Sequence, residues 1–166
     1  MSGWLRKQLS HDASPLVQFI KYGIAGGAAT ATHILVFFLA GWFLFPCLTQ
    51  DDIVVRLFGL TVPAVSLTET QRALHALCCS TIGFFLSNAL CYLLNRWFVF
   101  KPGRHHWAVE LLLFFAASGF SMLVGSTVQT VLIGKFGFQT SVSFAANIVA
   151  SLLINFVARK FFIFKG

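Results

Sequence analysis

Two copies of one pattern close the two halves of this chain: NALCYLLNRWFVFK at residues 88–101 and NFVARKFFIFK at residues 155–165. Each copy places an amide in an apolar run and follows it with a basic residue, aromatic residues and a final lysine. Residues four apart share a helix face, and polar residues precede both arginines at this spacing. We therefore expect two helices whose polar stripes lie side by side: Asn88, Tyr92 and Arg96 in one, and Asn147, Ser151, Asn155 and Arg159 in the other.

The composition is that of an integral membrane protein. Of the 166 residues, 57% are hydrophobic and only 10% are charged, whereas about 25% of a soluble domain is charged. The net charge of +7 fits basic residues at the cytoplasmic ends of membrane helices, so we expect no nucleic-acid partner. The four cysteines show no ligand spacing, and we expect no metal, cofactor or disulfide framework.

Four apolar segments predict an all-α protein with four transmembrane helices. We expect these helices at about 15–45, 70–100, 107–133 and 140–164, with a long loop at 46–72 between the first two. Ser14 and Pro15 favour a helix start, and Thr68 with Gln71 resembles a capping box. Nine basic residues lie on the side of the termini and three on the other. This split predicts that both termini are cytoplasmic in a multi-pass protein of the cytoplasmic (inner) membrane.

An internal repeat divides the chain into two hairpins. Gly26 and Gly41 recur as Gly119 and Gly134 at an offset of 93, and the aromatic tails recur at an offset of 64. The hairpins, 15–101 and 107–165, each have an even number of spans and so point the same way. We expect a parallel repeat about an axis along the membrane normal, in one domain, 1–166, with the 46–72 loop as an insertion.

The chain resembles the GtrA-like family of small four-helix membrane proteins. The resemblance rests on FIKYG at 19–23, NRWFVF at 95–100, and Asn155-Phe156 with RKFFIF at 159–164. It implies translocation, or flipping, of a polyprenyl-phosphate-linked sugar for cell-surface polysaccharide synthesis. Relatives are also found fused to polyprenyl-phosphate glycosyltransferases, so the alternative function is a scaffold that holds such an enzyme at the membrane.

Each part of that substrate has candidate ligands in the sequence. Basic side chains near the cytoplasmic interface suit the phosphate, and amides and hydroxyls in the helices suit the sugar. The phosphate candidates are Arg96, Arg159, Lys160 and Lys21; the head-group candidates are Asn88, Tyr92, Asn95, Asn147, Ser151, Asn155 and His33. The simpler alternative is that the basic residues anchor the topology, the amides join helices, and His33 is hydrogen-bonded inside the bundle.

Other classes fit less well. A multidrug-type antiporter needs a carboxylate in mid-span, and none of the five acidic residues lies there. No catalytic triad, carboxylate pair or metal set is visible, so we expect no enzyme.

Four helices are too few to enclose a polar head group away from lipid. Two sets of small residues favour close helix contact: Gly23 with Gly27, and Ala117 with Ser121 and Gly125. We therefore expect a homodimer, with membrane lipids as further partners.

Overall fold

The computed structural model describes residues 14–99 and 106–158, and these ranges are helical without a strand. Three of the helices are long and apolar enough to cross a membrane, which confirms the predicted class of all-helical membrane protein. The last helix has 19 described residues, and the fourth span and the cytoplasmic termini stay predictions. The elements are α1 (Pro15–Phe43), α2 (Ile53–Leu57), α3 (Glu69–Leu94), a π-helical turn (Asn95–Val99), α4 (Trp107–Phe136) and α5 (Thr140–Ala158).

Local signals explain most helix ends. Proline starts α1, although the Ser14 side chain makes no capping bond. The capping box at Thr68 is present: the Gln71 amide nitrogen donates to Thr68 Oγ1 at 3.2 Å, and the Thr68 nitrogen donates to Gln71 Oε1 at 3.0 Å. The first two residues of α5, Thr140 and Ser141, use their hydroxyls for other contacts: they bond to Cys47 O and to the buried Asp52 carboxylate.

The helices pack in chain order, with α1 against α3, α3 against α4 and α4 against α5. The apolar core lies where α1 ends and α5 begins, and there the rings of Phe37 and Phe144 stack with centroids 3.7 Å apart. Many large apolar side chains point outward, among them Phe19, Ile24 and Leu112. Outward apolar surface of this extent suits a bilayer as solvent.

Each hairpin has a glycine where its two helices approach each other closely. A Cβ at Gly83 of α3 would lie 3.2 Å from the backbone oxygen of His33 in α1. A Cβ at Gly125 of α4 would lie 2.8 Å from the backbone oxygen of Asn147 in α5. In both crossings a larger polar side chain therefore fills the space that the glycine leaves open.

The small-residue faces behave differently from each other. Gly23 and Gly27 have no neighbouring atom within 4 Å of a built Cβ, so this face is open within the described chain. Ser121 and Gly125 are buried against α5. Ser121 and Gly125 thus make the close helix contact that their spacing predicts, with α5 of the same chain, and the homodimer stays a prediction.

The second apolar segment changes geometry before its end. The α-helix stops at Leu94, and residues Asn95–Val99 form a π-helical turn. The Asn95 side chain donates to the Cys91 carbonyl at 2.8 Å, and a side-chain bond of this kind competes with the regular backbone ladder. Short π-helical turns are uncommon and occur often at functional sites, and this one contains Arg96.

Candidate functional site

An ion pair joins the end of the second span to the start of the third. Arg96 in the π-turn pairs with Glu110 in the first turn of α4, and the two side chains are 29% and 19% exposed. Arg96 Nη1 also donates to Tyr92 Oη at 3.3 Å, while Tyr92 Oη donates to Trp107 O at 3.1 Å. Arg96 and Tyr92 thus meet as predicted, and Glu110 is a partner that the sequence did not indicate. We call this region the Arg96 end.

Lys21 lies at the same end of the bundle. His33 packs against Gly83, and α1 also contacts the π-turn, so α1 and α3 run antiparallel. Lys21 is twelve residues before His33, and Asn95 is twelve residues after Gly83, which places Lys21 level with Asn95. Asn95 is buried, and its Oδ1 has no hydrogen-bond partner among the described residues.

A second ion pair occupies the opposite end of α3. Arg72, in the first turn of this helix, pairs with Glu69, and its Nη1 donates to Thr140 Oγ1 of α5 at 3.2 Å. Arg72 is 6% exposed. We call this region the Arg72 end.

Between the two ends, α3 and the π-turn carry polar groups at regular intervals, of which the first three are buried and Arg96 is partly exposed. Arg72, Ser80, Asn88 and Arg96 lie eight residues apart, which is roughly 12 Å per step along a helix. Each contacts a polar side chain of α4 or α5: Thr140, Gln129 with Asn147, Ser118 and Glu110 respectively. We call these four positions and their partners the polar ladder.

The middle of the polar ladder is a buried cluster of amides and hydroxyls. Gln129 Oε1 accepts from Ser80 Oγ and from Asn147 Nδ2, each at 2.7 Å. Ser151 Oγ donates to the backbone oxygen of Ser121 at 3.1 Å. Closer to the Arg96 end, Ser118 Oγ donates to Asn88 Oδ1 at 3.0 Å. These contacts tie three helices together through groups that lipid cannot satisfy.

Several atoms of this cluster lack a partner. Among the described residues, buried polar atoms without a hydrogen bond include Asn88 Nδ2, Gln129 Nε2, His33 Nε2, Ser126 Oγ and Ser143 Oγ. His33 also faces the backbone of Ser80 and the ring of Phe144, at a centroid distance of 5.4 Å. Unpaired buried polar groups are costly, so these positions are candidates for a functional role inside the helix bundle.

The expectation that the two polar stripes lie side by side stays a prediction, but both stripes contact α4. Asn88 and Arg96 bond to Ser118 and Glu110 of this helix, and Asn147 and Ser151 bond to its Gln129 and Ser121. Gly125 allows the close approach of α5 to α4 that produces this arrangement. The direct link between α3 and α5 in this region runs from Asn147 Nδ2 to Ser80 Oγ at 3.5 Å.

Part of the second polar stripe lies outside the residues that the structure describes. Asn155 belongs to α5 but its side chain is not described, and Arg159 and Lys160 lie outside the described residues. Sequence reasoning did not select Ser80, Gln129 or Glu110. Ser80 and Gln129 could have been selected because each is a polar residue within an apolar run. Glu110 could have been selected because it is an acidic residue in the first turn of a helix.

The long apolar helices and the polar ladder define a membrane protein with a buried polar path through its helix bundle. Within that class, the chain belongs to the GtrA/DPMS transmembrane-domain family, whose family model matches residues 21–164. This match confirms the resemblance seen in the sequence. Comparison with curated proteins and with solved structures gave no match. The family indicates a role in the membrane handling of polyprenyl-linked sugars.

Proposed function

We propose that this protein flips a polyprenyl-phosphate-linked monosaccharide across the cytoplasmic membrane, without catalysing a chemical reaction. It would do so as a multi-pass protein with four spans and both termini in the cytoplasm, in the synthesis or modification of a cell-surface polysaccharide. Family membership supports the substrate class. The polar ladder supports a path across the membrane, because it runs along α3 and the π-turn from one charged end to the other.

The length of the ladder is the observation that carries the proposal. Arg72 and Arg96 lie 24 residues apart, or roughly 36 Å along a helix, and the hydrocarbon core of a bilayer is about 30 Å thick. A phosphate and a sugar lose water when they enter hydrocarbon, and each unsatisfied polar group costs several kcal/mol there. A line of buried polar groups that spans the core replaces part of that hydration.

Each part of the substrate has a matching surface. Arg96, with Lys21 level with the same turn, would hold the phosphate at the cytoplasmic interface, and Arg159 and Lys160 are proposed as further phosphate ligands. The amides of the ladder and the head-group candidates on α5 would bond the sugar hydroxyls in turn. The apolar outer faces of α1 and α4 suit a prenyl chain that remains in the lipid.

The test is a flipping assay in liposomes with the purified protein and a fluorescent polyprenyl-phosphate sugar. Gln129→Leu removes an acceptor that serves both Ser80 and Asn147, so flipping should fall by at least roughly 2- to 10-fold, the equivalent of one of these two neutral hydrogen bonds. Thr127→Leu is the matched control, because Thr127 is exposed on the same helix and bonds its own turn. Equal rates for both variants would contradict a role for the ladder.

One observation favours the scaffold function instead. Glu110 already neutralises Arg96, so this arginine has a structural partner in the absence of any phosphate. A scaffold would co-purify with a polyprenyl-phosphate glycosyltransferase and would give no flipping when reconstituted alone.

A homodimer remains our proposal for the assembly. The open Gly23 and Gly27 face is the proposed contact, and native mass spectrometry in gentle detergent tests it.

A further inference from the structure

The Arg72 end contains a cavity of about 70 Å³. Residues 46–49 form one part of its wall, and Glu69 and Arg72 form another. The rest of the wall consists of Pro63, Val65 and Leu67. The cavity therefore lies between the long loop after α1 and the first turn of α3, at the end of the polar ladder opposite Arg96.

The guanidinium group of Arg72 is held in place from two sides. Nη1 donates to Thr140 Oγ1 at 3.2 Å, and the Thr140 hydroxyl in turn donates to the backbone oxygen of Cys47. Nε donates to Glu69 Oε2 at 3.1 Å. The side chain of Glu69 is 52% exposed while that of Arg72 is 7% exposed. The buried Thr140 contact thus fixes one edge of the guanidinium, and the half-exposed Glu69 carboxylate occupies the other edge.

This arrangement is suited to exchange of one anion for another. An exposed carboxylate contributes little to an ion pair because water screens it. A phosphate offers oxygens at the spacing that the planar guanidinium fork holds in a bidentate manner. An incoming phosphate can therefore displace Glu69 without disturbing the bond between Arg72 and Thr140.

We propose that Arg72 and this cavity form a second binding site for the phosphate group of a lipid-linked substrate, at the membrane face opposite Arg96. The inference rests on the proposed function and extends it. It gives the 46–72 loop a role as one wall of the site. It also explains why both ends of the polar ladder carry an arginine paired with a glutamate.

The test measures binding of farnesyl phosphate to the full protein in detergent, where both ends are accessible. Arg96→Gln should leave residual phosphate-dependent binding, and adding Arg72→Gln should weaken that residual binding roughly 10- to 100-fold, as expected for loss of a charge-assisted bond. Arg56→Gln is the matched control, because Arg56 is an exposed arginine in α2 of the same loop. If the double variant binds as well as Arg96→Gln alone, the proposal is overturned.

Glu69→Gln separates a binding role from a structural one. If Glu69 competes with the phosphate, this variant should bind farnesyl phosphate several-fold more tightly than the original protein. If the pair only holds the fold, Glu69→Gln should instead weaken binding and lower the unfolding temperature, which would contradict the proposal. This variant keeps Arg72, so the test remains valid even if Arg72→Gln fails to fold.

Two further measurements identify the ligand and show whether binding at Arg72 depends on the flipping function. Inorganic phosphate should compete with farnesyl phosphate only weakly, and equal competition would overturn the assignment to a lipid-linked phosphate. The binding measurement does not require transport. Binding at Arg72 by a protein that fails to flip lipid in liposomes would therefore refute the flippase function while the second site stands.

Discussion

Gly125→Ala should destabilise the protein, because the crossing of α4 and α5 has no room for a methyl group. A Cβ at this position would lie 2.8 Å from the backbone oxygen of Asn147, a distance that only a shift of the helices can relieve. Overpacking of this kind costs about 1–3 kcal/mol, and the better helix propensity of alanine returns about 0.5–1 kcal/mol. The expected net result is a fall in the unfolding temperature by roughly 5 °C, measured by the loss of helical circular dichroism in detergent.

Gly119→Ala is the matched control on the same helix. A Cβ at Gly119 meets no atom within 4 Å in the described chain, so this variant should be as stable as the original protein or slightly more stable. The spacing between α4 and α5 also sets the geometry of the polar cluster, so Gly125→Ala should reduce flipping. If the two alanine variants unfold at the same temperature, the close crossing at Gly125 is not the feature that holds α5 in place.

Three other outcomes are expected. Arg96→Ala should lower flipping roughly 10- to 100-fold and Arg96→Lys should restore only part of it; normal transport by both variants in liposomes would leave Arg96 as a topology anchor. Reporter fusions should place Leu60 outside the cell and Arg104 inside, and the reverse pattern would end the proposed orientation. A hydrogen bond with Cys79 and burial both raise the pKa of the Cys47 thiol, so the reactive thiolate should be scarce at neutral and mildly alkaline pH. Peptide mapping should therefore find Cys47 unmodified by maleimide until the protein is unfolded, and rapid labelling of the folded protein would contradict this.

The sequence predicted the features that depend on a single helix. The apolar segments, the start at Pro15 and the capping box at Thr68 follow from local spacing, and local spacing is fully visible in one chain. The contact between Tyr92 and Arg96 is of the same kind, because both residues lie on one helix.

Contacts between helices were predicted less well. Asn147 was expected to face the stripe that contains Asn88, and the sequence did not indicate that its main partner is Gln129 of α4. The rotation of α5 depends on the glycine at position 125 and on the side chains around it, and no periodicity within α5 contains that information. Glu110 was missed for a related reason, since its approach to Arg96 depends on the path of a connection that local patterns do not specify.

The two glycine crossings bear on the internal repeat that the sequence predicts. At the offsets of 93 and 64 that align the hairpins, His33 corresponds to Ser126, beside Gly125, and Gly83 corresponds to Asn147. The small partner lies on the second helix of the first hairpin, at Gly83, and on the first helix of the second hairpin, at Gly125. At each crossing the small residue and the larger residue that packs against it lie in the same hairpin. A substitution at one crossing therefore needs a compensating substitution only within that hairpin, and not in the other. An ancestral gene duplication would then leave two halves whose ends still look alike while their crossings carry opposite residues.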